Sequence, residues 1–201
     1  GADFKTLIAR AGRQFFQVGR GITLNSVLDG VNLEGQTGFL GLKAFAGHTV
    51  TTTSDIDKSR PNSGDSRRLF YGTEAAYLGI PRWRIFGYGL IQRDLNNEHP
   101  QVPAIDFDYN SEYWGLGTRG EPIPRVNFQG GVTYETGESH SVGLVASEKD
   151  RISAQSFNLM VQALPKIATQ PRFSMEYLYG SGDPDRRSHP AYDDEDAARA
   201  N

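Results

Sequence analysis

The sequence has no cysteine among its 201 residues. That excludes a disulfide scaffold, a thiolate metal site and a thiol nucleophile, and it leaves the compartment open. No apolar run approaches the roughly 18–20 residues that a membrane helix needs. No block of like charge stands out either: 21 basic residues face 24 acidic ones, for a net charge of −3. The electrostatic footprint of a nucleic-acid binder is therefore missing, and nucleic acid is not expected as a partner. Mean hydropathy is low, at −0.51. This does not exclude a membrane β-barrel, in which only every second residue faces lipid.

Signatures of catalysis are also scarce. There is no G-x-S-x-G, no P-loop and no dinucleotide fingerprint, and Gly19-Arg20-Gly21 neither completes one nor opens a helical pattern. The histidines, His48, His99, His140 and His189, lie far apart in long connections or at strand ends, with no metal-ligand spacing. Acid pairs occur, yet nothing singles out two of them as glycosidase carboxylates. The reading is a non-enzyme with no cofactor. Two acidic loops, 182–185 and 193–196, offer carboxylate oxygens to Ca²⁺, as does the weaker set Asp55, Asp57 and Asp65. None has EF-hand spacing, and acidic loops are common in solvent.

What the sequence does have is glycine (23), tyrosine (9), phenylalanine (11) and a recurrent period of two. The clearest segments are 125–135, 153–163 and 172–180. In the first, Val126, Phe128, Val132 and Tyr134 oppose Asn127, Gln129, Thr133 and Glu135. In the second, Phe157, Leu159, Val161 and Ala163 oppose Ser156, Asn158, Met160 and Gln162. In the third, Phe173, Met175, Tyr177 and Tyr179 oppose Ser174, Glu176 and Leu178. Each predicts a strand with one apolar and one mostly polar face. Less regular strands are expected at 7–19, 30–34, 39–50, 68–78, 83–93 and 111–119, making about nine.

The connections alternate in length. Short ones fall at 35–38, 79–82, 120–124 and 164–171; long ones at 19–29, 51–67, 94–110, 136–152 and from 182 onward. Tight turns at one end and long loops at the other are the habit of outer-membrane barrels. A soluble sandwich has no reason to keep its long loops together, although Greek-key crossovers mimic part of the pattern. The apolar faces place Tyr71, Tyr77, Trp83, Tyr134, Tyr177 and Tyr179 near segment ends, as aromatic girdles do. The opposite faces suit a watered lumen. Its lining candidates are Arg13, Lys43, Glu74, Arg84, Gln92, Gln129, Glu135, Asn158 and Glu176. Arg10, Arg13, Arg20, Lys43, Arg84, Arg93, Arg119, Arg125 and Arg172 lie in or beside strands, and those facing such a lumen would steer carboxylate-bearing solutes. The plainer role is pairing with Glu74, Glu135 and Glu176.

Nine strands is an odd number, whereas bacterial single-chain barrels use even ones. The chain opens Gly-Ala-Asp-Phe-Lys without a leader pattern and ends after an acidic stretch. The expectation is one all-β domain over 1–201, an antiparallel up-and-down transmembrane β-barrel present in part. The full barrel would have about 16–18 strands.

Four stretches resemble the alginate export family of outer-membrane porins. They are Ala9-Arg10-Ala11-Gly12-Arg13-Gln14 with Leu28-Asp29-Gly30-Val31; Tyr113-Trp114-Gly115-Leu116-Gly117-Thr118-Arg119; Ile152-Ser153-Ala154-Gln155-Ser156; and Glu176-Tyr177-Leu178-Tyr179-Gly180-Ser181-Gly182-Asp183-Pro184. They keep the family's order over most of the chain. After the last, Ser188-His189-Pro190-Ala191-Tyr192 departs from the family's phenylalanine-containing continuation. The resemblance implies a porin-like channel in the bacterial outer membrane, with outer-membrane lipid around it. Its solutes would be hydrophilic, small molecules or polysaccharide, and anionic if uronates are carried. Two other classes fit parts of the pattern: a soluble β-sandwich that binds carbohydrate through Tyr and Trp, and an outer-membrane barrel enzyme with its residues in the loops.

Overall fold

A computed structural model describes residues 5–50, 67–95, 105–106, 109–138, 141–142 and 151–182. Its strands are β1 (Thr6–Val18), β2 (Leu24–Gln36), β3 (Leu40–Thr49), β4 (Arg68–Ile80), β5 (Trp83–Asp94), β6 (Ile105–Asp106), β7 (Asn110–Ile123), β8 (Val126–Glu138), β9 (Ser141–Val142), β10 (Arg151–Ala163) and β11 (Phe173–Gly180). One 3₁₀ turn, η1 (Gly19–Gly21), joins β1 to β2. Nine strands make one sheet in the order β1-β2-β3-β4-β5-β7-β8-β10-β11, every neighbour antiparallel. The protein is thus all-β, with an up-and-down meander. The short β6 and β9 pair with each other, tying together two of the long connections.

Most strands of the sheet exceed the expected lengths. Seven-strand sandwiches and similar globular sheets use strands of about 5–6 residues, whereas β1, β2, β4, β8 and β10 each run 13 residues. The largest correction is at β2. Residues 19–29 are not a long loop, and 30–34 is only the middle of a strand that runs from Leu24 to Gln36. Other strand ends move by a few residues: β4 continues to Ile80 and β7 to Ile123, leaving Pro81-Arg82 and Pro124-Arg125 as tight turns with positive φ at Arg82 and Arg125. The face parities assigned to β3, β4, β5, β8, β10 and β11 hold in the observed register, but on β3–β5 the side expected to be polar carries the buried Phe45, Phe70, Phe86, Tyr88 and Leu90.

Side-chain alternation sorts the sheet into two unlike faces. Phe16, Leu28, Phe45, Phe70, Phe86, Tyr88 and Leu90 are buried together, and by register all point to one side. Phe16 and Phe45 sit with ring centroids 4.9 Å apart. Glycines make room for this cluster: Phe45 is directly opposite Gly72, and Tyr88 opposite Gly115. Large–glycine cross-strand pairs let a ring lie over the neighbouring backbone.

The same side is the concave one. Arg20, in the first turn, hydrogen-bonds to Asn158 on β10 and Glu176 on β11, the far end of the sheet. Only a sheet that curls toward this face brings those elements within reach. The curl does not close within the described residues. β1 and β11 have one sheet neighbour each. Because the count is odd, these two edge strands run in the same direction.

Candidate functional site

The convex face is built from alternate residues of long strands, and it is apolar. Leu7, Val31, Leu33, Leu42, Tyr71, Tyr77, Ile85, Trp114, Leu116, Val132, Tyr134, Phe157, Met175, Tyr177 and Tyr179 all stand exposed on it. Leu116 is 65 % exposed and Leu7 is 74 % exposed. No second layer covers this face among the described residues; the only other sheet is the two-residue pair of β6 and β9. A soluble domain rarely leaves so broad an apolar surface in water. A sandwich would have buried the Phe128, Val132 and Tyr134 row under an opposing sheet. Part of this face sinks into a groove over Gly87 and Gly89, walled by Trp114, Leu116, Tyr134 and Phe157.

Charge on the convex face is confined to a few places. Arg13 is one of them, and this corrects the expectation that it lines the polar side. In β1 it shares parity with Leu7, Ala9 and Phe15, and it forms a two-pronged ion pair with Asp29 of β2, at 2.9 and 3.0 Å. Arg93 and Glu112 form a second convex pair at 2.9 Å. His48 is the cross-strand neighbour of Asp29.

The other eight lining candidates do share the concave face. Glu34, Lys43 and Glu74 are direct neighbours on β2, β3 and β4, an acid–base–acid row. Arg84, Arg119, Gln129, Met160 and Glu176 form another row across β5, β7, β8, β10 and β11. Gln92 lies near the far end of β5, Glu135 faces Tyr113, and Asn158 donates to the Gly131 carbonyl at 3.2 Å. Arg84 is ion-paired with Glu74, and Arg10 with Glu34. Lys43 and Arg119 have no ion-pair partner among the described residues. Arg84 and Arg119 are placed directly opposite each other, an arrangement that costs energy unless something negative is shared.

Of the eight, Lys43, Glu74 and Arg84 line a cavity of about 350 Å³. Its wall carries Arg20, Lys43, Arg84 and Arg119 against Glu34 and Glu74, a surplus of positive charge. Arg20 and Arg119 enter this site on geometry that the sequence leaves obscure. Arg20 sits in what reads as a loop, and the alternation around Arg119 is masked by glycines at 115, 117 and 120.

Beside these charged groups, the apolar cluster of β1–β5 packs on the same concave face. The concave face is therefore not uniformly polar: packed apolar side chains and charged ones share strands β2–β5. The proposed calcium loops, apart from Gly182, lie outside the described residues, as do Asp55, Asp57, Asp65, His99, His140 and His189. Among the described residues no three acidic or histidine side chains cluster as metal ligands, and no helix is long and apolar enough to cross a membrane, which says nothing of strands. No known family model matches the sequence, and no curated protein matches it.

Proposed function

We propose that the chain forms part of the wall of an outer-membrane β-barrel channel that passes hydrophilic, preferentially anionic solutes. The observation that carries this reading is the broad convex face of exposed apolar side chains on strands that mostly run 10–14 residues, with nothing covering it among the described residues. A strand needs about 9–11 residues to cross a bilayer at a 45° tilt. In lipid that face costs nothing to leave bare, while in water it would drive aggregation. The tyrosines and tryptophans toward its margins suit the interfacial girdles.

A polar concave flank supports passage, since a lumen lined by charge removes the hydrocarbon barrier to a hydrated solute. Excess guanidinium and ammonium groups over carboxylates favour carboxylate-bearing solutes, by steering and by bidentate hydrogen bonds. Alginate would be one solute of that class, on the resemblance alone. No catalytic step is required. In a membrane every strand edge must be paired. Joining β1 to β11 directly would make a parallel pair, so an all-antiparallel barrel requires an odd number of further strands.

The test is reconstitution. The full polypeptide, with the further strands that close the barrel, is extracted in detergent, compared by electrophoresis with and without boiling, and inserted in planar bilayers. The reading expects a heat-modifiable band and anion-preferring conductance. A monodisperse protein in plain buffer that neither shifts on boiling nor conducts overturns it.

A further inference from the structure

We propose that the Gly19-Arg20-Gly21 turn, and not a long loop, is a constriction of this channel, and that Arg20 is its selectivity residue, exchanging the Glu176 carboxylate for that of a passing solute. The inference rests on the channel reading above.

The turn is held inside the curl by independent contacts. Three successive residues take left-handed φ, at 57°, 63° and 85°. Glycine adopts this readily at both ends; Arg20 adopts it at a cost that surrounding contacts must offset. Gly19 lies against the Tyr88 hydroxyl so closely that a Cβ there would overlap it. Thr23, just past the turn, hydrogen-bonds the same hydroxyl at 3.0 Å, and Tyr88 in turn reaches Thr133 of β8. On either side, Val18 and Leu24 are buried in the apolar cluster.

Thus anchored, Arg20 spans the concave space. Its guanidinium donates to Glu176 Oε1 at 3.0 Å, Met160 Sδ at 3.4 Å and Asn158 Oδ1 at 3.4 Å. Of its five N–H donors, two are left over. The side chain also lines the cavity that Lys43, Arg84 and Arg119 make positive. Its partner is easily displaced. Glu176 is 48 % exposed on an edge strand, a setting in which an ion pair contributes little, and a thioether is a weak acceptor. A solute carboxylate entering the cavity offers Arg20 a replacement of the same chemistry, in a two-pronged geometry that Glu176 does not use.

The experiment is single-channel recording of the full polypeptide, closing strands included, with reversal potentials measured in gradients of potassium chloride and potassium acetate. Arg20→Ala should widen the path, raising conductance and moving the reversal potential toward the non-selective value, with Arg20→Lys between. Glu176→Gln frees the same cation from the opposite side; it should strengthen anion preference without altering the turn. The unboiled, heat-modifiable band confirms that each variant is folded. A conducting wild type whose conductance and reversal potential are unchanged in both Arg20→Ala and Glu176→Gln overturns the inference and leaves the channel reading standing. A folded wild type that forms no channels overturns both.

Discussion

Phe45 lies directly opposite Gly72 across the β3–β4 pair, and its ring fills the space that a side chain at 72 would need. The ring completes the buried cluster against Phe16, at 4.9 Å between centroids. Gly72→Val should therefore destabilise the fold by about 1–3 kcal/mol, the usual cost of overpacking a filled core. Gly180→Ala is the matched control, because nothing lies within 4 Å of a Cβ there. Urea-unfolding midpoints of the two variants, in one detergent, should separate clearly. Equal midpoints would mean that the cluster is loosely packed.

The two faces make opposite demands on charge. Val132 is 49 % exposed on the convex face, with Leu116 and Phe157 as its cross-strand neighbours. Val132→Lys should cost about 2–4 kcal/mol of stability in lipid vesicles if that face meets the bilayer midplane. Gln129→Lys, on the concave side of the same strand, should cost far less. In detergent-free buffer the order would reverse, since a lysine improves an apolar surface in water. Unfolding titrations in vesicles read the difference, and a tolerated Val132→Lys together with a damaging Gln129→Lys would put the lipid face on the wrong side.

How far this division can be read from sequence differs from strand to strand. β8, β10 and β11 alternate most cleanly, because each places rings and aliphatics on one side and mostly polar residues on the other, Met160 and Leu178 being the exceptions. β2 hides, because Asn25, Ser26, Asp29 and Gly30 carry turn chemistry. In the sheet, Asp29 is held by Arg13 on the convex side, and Gly30 sits where the Ala46 carbonyl comes too close for a Cβ. β1 hides for another reason: Phe15 and Phe16 are adjacent, so hydrophobicity does not reveal which parity faces in. Charge alone then assigns Arg13 to the wrong side. The contacts of Arg20 with β10 and β11 depend on the curl of nine strands, which no local pattern encodes.

The placement of Arg13 yields a selectivity prediction. Arg84 and Arg119 face the cavity and each other, whereas Arg13 is on the far side of the sheet. Arg84→Ala and Arg119→Ala should each lower anion preference in bilayer recordings, and Arg119→Ala should do so with less structural damage, since Arg84 also holds Glu74. Arg13→Ala should leave the reversal potential unchanged. A shift in Arg13→Ala as large as in Arg119→Ala would show that selectivity is not set at the concave wall.

The hydroxyl of Tyr88 stands between Thr23 and Thr133, 3.0 Å from one and 2.5 Å from the other. Thr133 is buried, so its hydroxyl has little access to water. Tyr88→Phe removes the shared partner and strands Thr133, at a cost of about 1–3 kcal/mol for a buried polar group left unpaired; Thr23 is only half-buried. If that accounting is right, pairing Tyr88→Phe with Thr133→Val should recover part of the loss, because both members of the inner bond are then replaced by apolar groups of similar shape. Thr133→Val alone should be intermediate, since Tyr88 retains Thr23. The readout is a double-mutant cycle on unfolding free energies in detergent. A double variant less stable than Tyr88→Phe would mean that Thr133 has an acceptor or donor beyond Tyr88, and that the hydroxyl chain is not what fastens the first turn to the far half of the sheet.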